Sequence, residues 1–420
     1  MPSLSFQIPP ALRERRYALF WSGMLISMAG GQMQFWALLW HISKLTGEPI
    51  FVSVIGLVRF LSILVFSLFA GAIADAFDRR KIMFVTQSTM MGTAIALSLL
   101  SLSGQINIWH IYLLTAIQAV ASSFDLPARQ ALVPNLVSRE HYPSAFSLSS
   151  IAANTGSIAG PALSGLVIST LGLHWVYLIN AGTYVALLLV LVLIGHVAQS
   201  HGVPAGSPRV ISRKSIAEGI RFILHQPIIL SSMILDFFAT FFSSANTLLP
   251  FVAHYILKVS VQEYGWLSAG QSVGAVTVAL LFSQRAQIRG QGRLLLAAVA
   301  CFGLATVLFG LSQSFFMALF ALIFVGASDS VSTILRNTIR QIQTPDYIRG
   351  RMVSINQIFF AGGPQLGEIE AGVVAQLFGV PAAIISGGIG CVLTVIAVSG
   401  IWPQLLHYRG DEPAPGGAAG

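Results

Sequence analysis

The sequence predicts an all-α integral membrane protein, with twelve transmembrane helices arranged as two pseudo-symmetric six-helix bundles. Three observations predict it. The first is composition: 55% of the 420 residues are hydrophobic and only 9% are charged, against about 25% charged in a soluble domain. The second is segment length. Apolar runs cover 17–41, 50–74, 82–103, 108–128, 143–170, 174–196, 228–256, 264–284, 292–312, 315–335, 350–378 and 381–403. Each is near or above the ~20 residues that a spanning helix needs, and far longer than a barrel strand. The third is where the positive charge falls. The net charge of +8 does not point to a nucleic-acid partner, because the arginines and lysines lie almost entirely in alternate connections and in the tails. Only Lys44 and Lys258 fall in the other connections, and Arg59 falls inside a span. That asymmetry puts the basic connections and both termini in the cytoplasm.

Taken in order, residues 1–16 are a cytoplasmic tail whose Arg13-Glu14-Arg15-Arg16 anchors the first helix. No cleavable signal peptide is visible, since a full-length span follows these charges without a small-residue cleavage site. Residues 17–197 form the N-terminal bundle and 228–403 the C-terminal bundle. Between them, 198–227 is the one long polar connection. Its Ile216, Ile220, Ile223 and Leu224 recur at helical spacing beside Arg213, Lys214 and Arg221, the pattern of an amphipathic helix lying on the inner leaflet. Residues 404–420 end in Pro-Ala-Pro-Gly-Gly-Ala-Ala-Gly and are expected to be a disordered cytoplasmic tail. Cys301 and Cys391 sit in apolar spans and read as packing residues. A slide of 207 residues places Arg129 on Arg336, Gly156 on Gly363, Gly160 on Gly367 and Gly165 on Gly372. Such internal repeats are what transporter folds are built from.

The most charged turn is Gly71-Ala72-Ile73-Ala74-Asp75-Ala76-Phe77-Asp78-Arg79-Arg80-Lys81. Two acids and three bases between two spans must lie at a water interface, because charge is costly in lipid. The turn resembles the signature loop between helices 2 and 3 of the major facilitator superfamily. Gln34-Phe35-Trp36-Ala37-Leu38-Leu39-Trp40, Asp125-Leu126-Pro127-Ala128-Arg129 and Asp236-Phe237-Phe238-Ala239 are similar to the branch that includes the enterobactin exporter and macrolide efflux proteins. Gly156-x-x-x-Gly160-Pro161-x-x-x-Gly165 resembles a motif of the superfamily's antiporters. The resemblance implies a secondary transporter of a bacterial inner membrane, exporting compounds, with helices 2 and 11 packed together.

Ionisable residues inside spans are the natural candidates for transport chemistry. Asp236 lies roughly 12 Å along the seventh span. Thr240, Ser243, Ser244 and Thr247 follow it as a polar stripe on one face of a continuous helix. Asp236 is expected to bind the transported proton; the bland alternative is a structural acid bonded to a neighbouring helix. Gln32, Gln34 and Trp36 of the first span, with that stripe, are expected to line an amphipathic substrate cavity. Arg59 of the second span lies at the depth of Glu368 and Glu370 of the eleventh. An outer-gate salt bridge to one of them is expected, and Glu370 adjoins the small-residue seam; the alternative is that Arg59 reaches the headgroups. Gly71, Asp75, Asp78, Arg79 and Arg80, with the Asp125–Arg129 pair and Arg336, are expected to form an inner gate, or else to act as interfacial anchors. Gly156, Gly160, Pro161 and Gly165 are expected at a close helix contact.

The chain has no G-x-x-x-x-G-K-(S/T) loop and no His/Cys/Asp ligand cluster, so neither ATP drive, a cofactor, a metal centre nor an enzymatic activity is expected. The expected function is export of a small amphipathic compound (drug-, siderophore- or lipid-like) by proton antiport with alternating access. The expected partners are the bilayer, the substrate and protons, for a monomer. A facilitator or symporter of a polar metabolite, and a membrane sensor that transports nothing, are the alternatives.

Overall fold

The computed structural model describes residues 9–197, 220–244, 246–283 and 289–410, apart from the side chains of a few residues within α2, α8 and α11. Twelve long helices cover these residues: α1 Arg15–Thr46, α2 Pro49–Ala76, α3 Arg79–Leu102, α4 Ile108–Leu132, α5 Tyr142–Thr170, α6 Leu173–Ile194, α7 Pro227–Ser243, α8 Val261–Ser283, α9 Gln291–Gly310, α10 Phe315–Ile342, α11 Asp346–Phe378 and α12 Val380–Ile401. A short α13, Pro403–His407, follows. Among the described residues there is no strand, and ten helical segments are long and apolar enough to cross a membrane. The other two long helices, α1 and α11, carry the polar residues singled out above. At 32 and 33 residues they are longer than the ~20 that a crossing needs.

The chain divides into two compact units. One is Met1–Leu45 with Val58–Gly206; the other is Thr46–Leu57 with Ser207–Gly420. The first residues of α2, to Leu57, belong to the second unit and the rest of that helix to the first. Within the first unit, α3 packs against α4 and α6, and α5 against α6. Within the second, α9 packs against α10 and α12, and α11 against α12. These are the same pairings six helices later, so the weak sequence repeat is carried in the packing. Each unit has its own apolar core. Tyr17, Phe20, Met83, Leu132, Leu187 and Leu191 belong to the first, and Leu235, Leu295, Val299, Leu335, Ile339 and Val398 to the second.

Small residues set the closest contacts. A Cβ on Gly160 would lie 2.9 Å from Met33 N and 3.0 Å from Ala29 O, and one on Gly156 3.2 Å from Ala29 N, so α5 meets α1 backbone to backbone. Pro161 and Gly165 are buried on the same helix. In the second unit, a Cβ on Gly363 would lie 2.9 Å from Phe237 O, which makes α11 against α7 the repeat-related contact. Another close approach is α8 against α10. A Cβ on Gly274 would lie 2.8 Å from Ile323 C and 2.9 Å from Ala327 N. Backbone cannot yield as a side-chain tip can. Gly274→Val is therefore expected to cost about 1–3 kcal/mol or more by overpacking, read as a lowered melting temperature of detergent-purified protein. An unchanged melt would show that α8 and α10 do not meet here.

Several expectations shift. The tenth helix runs to Ile342 rather than ending at 335. The disordered tail does not begin at 404: α13 forms, and Leu405 and Tyr408 are fully buried in the core of the second unit. The rest of that tail, and nearly all of the amphipathic linker, lie outside the described residues. Cys391 is buried and donates to Val299 O at 3.5 Å, whereas Cys301 is exposed on α9 and packs into no core.

Candidate functional site

The seventh span is broken. α7 stops at Ser243, because Ser244 takes φ −82°, ψ 87°, outside the helical region. The chain resumes as a 3-10 turn, Asn246–Leu248, then a single α-turn and a π-turn, Val252–Ile256. Broken helices are tolerated at membrane depth where the freed backbone lines a cavity or is covered by protein. A cavity of about 280 Å³ opens at this break. Thr240, Ser243, Ser244, Asn246, Gln271, Ser272 and Asp329 supply its polar lining, and Phe302, Val325 and Pro364 are among its apolar walls. Gln271 Nε2 donates to Asn246 Oδ1 at 3.1 Å, which ties the broken segment to α8.

Behind the cavity lies a four-charge cluster. Asp236 Oδ1 is 2.9 Å from Arg336 Nη1, and Asp236 Oδ2 accepts from Arg340 Nη2 at 3.1 Å. Arg340 also donates to Ser232, through Nη2 to its carbonyl at 2.9 Å and through Nε to its hydroxyl at 3.2 Å. Arg336 Nη2 donates to Thr333 Oγ1 at 2.9 Å and lies 3.7 Å from Asp329 Oδ1. Burying charge costs several kcal/mol per ion unless each finds a partner, and here two acids face two bases. The cluster is graded in access. The Asp236 side chain is 1% exposed and both arginines 2%, but Asp329 is 48% exposed. Asp329 is the one member that the cavity reaches.

This overturns part of the expected assignment. Asp236 is not a lone desolvated carboxylate beside the cavity; two guanidinium groups enclose it. Arg336 sits against α7 within the second unit, where it neutralises Asp236, and is not part of a basic connection. Thr247 is off the stripe because the stripe presumed an unbroken helix. It is fully buried and accepts from Ser53 Oγ at 3.3 Å. Thr240, Ser243 and Ser244 do line the cavity. Arg340 was missed because the helix was expected to end before Arg336; Asp329 lay inside the expected span and was passed over. The available signal was the spacing Asp329, Arg336, Arg340, at i, i+7 and i+11, which stacks all three on one helical face.

In the first unit Gln34 is not a free cavity donor. Its amide donates to Gln118 Oε1 at 2.8 Å and accepts from Asn180 Nδ2 at 2.7 Å, and Gln118 donates to Tyr184 OH at 3.0 Å. Gln32 packs at the Gly160 contact, and Trp36 is buried edge-on to Phe35, with ring centroids 5.6 Å apart. The charged turn is a clamp within this unit. Asp78 caps α3, accepting from Arg80 N at 2.9 Å. Arg79 donates to Ala131 O at 2.9 Å and Asn135 Oδ1 at 2.8 Å, and Arg80 Nε donates to Leu191 O. These arginines hold carbonyl ends of α4 and α6, the groups left unsatisfied where a helix stops. Asp125 is ion-paired with Arg129 and accepts from Thr86 Oγ1 at 2.9 Å and Gln87 Nε2 at 2.8 Å. Gly71 and Asp75 lie in the last turns of α2, and their side-chain environments are outside the described residues.

Arg59 stacks on Phe35, 4.6 Å from the ring centroid. Of the two glutamates on α11, Glu368 is buried, and it is the one that meets the start of α2. A Cβ on Gly56 would lie 3.2 Å from Glu368 Cβ. Glu370 is half-buried, so the seam expected at Glu370 falls at Glu368.

The profile of the family described as transmembrane secretion effectors matches residues 8–404. The enterobactin exporter EntS of Escherichia coli K12 is 28% identical over 344 residues, 82% of this chain and 81% of that protein. The enterobactin exporter of Citrobacter koseri is 28% identical over 369 residues, 87% and 86% of the two chains. Among solved structures, a point mutant of the nucleoside transporter NupG superposes with a TM-score of 0.74 at 12% identity, covering 93% of this chain and 99% of that one. A bacterial homologue of the human lysosomal transporter Spinster, inward-facing and unoccupied, superposes with a TM-score of 0.71 at 14% identity, over 95% and 97%. At such identities these structures speak for the fold alone.

Proposed function

Because this chain belongs to the transmembrane secretion effector family of the major facilitator superfamily, we propose that it exports a small amphipathic, siderophore-like compound in exchange for protons. It is a multi-pass membrane transporter and not an enzyme. The bacterial inner membrane is its proposed location, with both termini cytoplasmic.

The observation that carries the reading is the cavity at the α7 break with Asp329 as its one charged lining residue among those described. Apolar walls with a few placed donors and acceptors suit an amphipathic ligand. The relatives named as enterobactin exporters favour a siderophore-like one. Proton exchange belongs to Asp329 rather than to Asp236, because only Asp329 is both ionisable and reachable. Arg336 stands between the two acids. With Asp329 ionised, Arg336 serves both carboxylates; with Asp329 protonated, it serves Asp236 alone. The cluster therefore has two charge states, the kind of difference on which a transport cycle turns. Alternating access through rocking of the two halves is the motion proposed.

The outer gate is proposed as Arg59 with Glu368, since Arg59 lies one turn beyond Gly56 on the same side of α2. Arg59→Glu is expected to abolish efflux, and Arg59→Glu with Glu368→Arg to restore part of it. Failure of the swap to restore anything would remove this gate.

The test of function is purified transporter in vesicles under an imposed pH gradient, with export of catecholate siderophores and amphipathic dyes measured. Gradient-dependent export of at least one class is expected. No flux of any of them would overturn the reading.

A further inference from the structure

We infer that the break in the seventh span carries a binding site for a monovalent metal cation, sodium, in a hollow separate from the main cavity. This second hollow, of about 10 Å³, adjoins the break. That is the room of one water or one small ion. Ser243, Asn246, Gln271 and Thr306 supply its polar lining, and Leu249 and Phe309 are among its apolar walls. It shares Ser243, Asn246 and Gln271 with the larger cavity. The four polar residues come from α7, the broken segment, α8 and α9, so one small ligand would tie all four together.

The hydroxyl of Ser243 is what points to a ligand. Elsewhere on α7, Ser231, Ser232 and Thr240 each donate back to a carbonyl of their own helix. Ser243 is 7% exposed, and its Oγ has no hydrogen-bond partner among the described residues. The neighbouring Cys391 thiol is spent on Val299 O, and sulfur is a weak acceptor. A buried hydroxyl left unpaired costs about 1–3 kcal/mol, so a ligand here has something to repay. The other groups offer oxygen. Thr306 spends its proton on Phe302 O at 2.9 Å and keeps its lone pairs. Gln271 spends an amide donor on Asn246 Oδ1 and keeps its carbonyl oxygen. The sign of the field then separates an ion from a water. α7 ends at Ser243, so its last carbonyls lack donors within the helix and the negative end of its dipole lies at the break. The adjoining cavity contributes an acid, Asp329, while Arg336 and Arg340 are held against Asp236. Carbonyl ends of broken membrane helices are suited to sodium for this reason. No carboxylate is among the described residues of the small hollow, and divalent ions are held by carboxylates, which leaves a monovalent one.

The test uses the full-length protein in a neutral detergent, with binding of radioactive sodium measured directly and thermal melting followed in sodium, potassium or choline chloride. Saturable sodium binding is expected, displaced by unlabelled sodium and not by choline. The melting temperature is expected to rise with sodium and to rise less with potassium or choline. Ser243→Ala removes the unpaired hydroxyl, and Thr306→Val keeps the shape of its side chain while removing the oxygen. Each is expected to weaken sodium binding by about tenfold or more while keeping the melt cooperative. No saturable binding, with equal melting in sodium and choline, would make the occupant a water only and overturn the site. Binding undiminished in both variants would also overturn it. Potassium matching sodium throughout would overturn the assignment to sodium. Binding lost in Asp329→Asn and kept in Ser243→Ala would place the ion in the larger cavity and overturn the separate hollow. None of these readouts depends on export, so the ion site and the transport reading fail separately.

Discussion

Asp236→Asn is expected to destabilise the second unit by about 3–5 kcal/mol, the range for breaking a buried ion pair by removing one partner. The size follows from what is left behind. Arg336 and Arg340 are each 2% exposed, and both keep their charge when the carboxylate goes. Asparagine keeps the shape and one acceptor, so the loss reports charge and not packing. Melting of detergent-purified protein reads it. The companion variant settles the cause. Asp236→Asn with Arg340→Met removes one charge of each sign and is expected to recover a large part of the loss, because a buried pair is often replaceable by apolar groups at little net cost. If the single substitution leaves the melt unchanged, or the pair is worse than the single, the buried cluster does not exist as described.

Asp329→Asn is expected to do the opposite: little to stability and much to coupling. Its carboxylate is 48% exposed and 3.7 Å from Arg336, and a pair so open to solvent is worth about 0–1 kcal/mol. The same exposure lets protons reach it. With a permanently neutral side chain the cluster has one charge state left, so a pH gradient has no group to act on. In vesicles, accumulation driven by the gradient is expected to fall by about tenfold or more, a coupling loss of ~1.4 kcal/mol or greater. Exchange of labelled for unlabelled substrate at equal pH is expected to persist. Loss of both, with an intact melt, would assign Asp329 to substrate binding alone. Wild-type coupling in the variant would place the proton elsewhere. The two substitutions are both carboxylate to amide, within one cluster, and they separate stability from coupling because burial differs between them.

The sequence made the membrane architecture legible because its signals are additive over long segments. Twenty apolar residues, or a run of cations, outweigh local exceptions, so the span count and the internal repeat were readable. The site was harder for two reasons. Helix phase was projected through Ser244, where the helix breaks, which sent Thr247 to the wrong face. Helix length was cut short at 335 because arginine marks a boundary in apolar sequence, which hid Arg340 and misplaced Arg336. Both errors come from treating a charge or a polar stripe by its own chemistry, when its partner on another helix decides where it can stand.

By itself the sequence determined that this chain lives in lipid, as helices, in two related halves. Transfer of apolar side chains and exclusion of charge are properties of each segment alone. It also marked Asp236 and the small-residue seams as exceptional, because a lone acid or a glycine ladder in an apolar run needs a reason. Only the tertiary structure decided the reason. Whether a carboxylate is a buried counter-ion or a reachable proton acceptor depends on which guanidinium groups lie within about 4 Å, where Coulomb energy in a low-dielectric interior competes with desolvation. That distance is set by how α7 and α10 meet, and neither helix encodes it without the other.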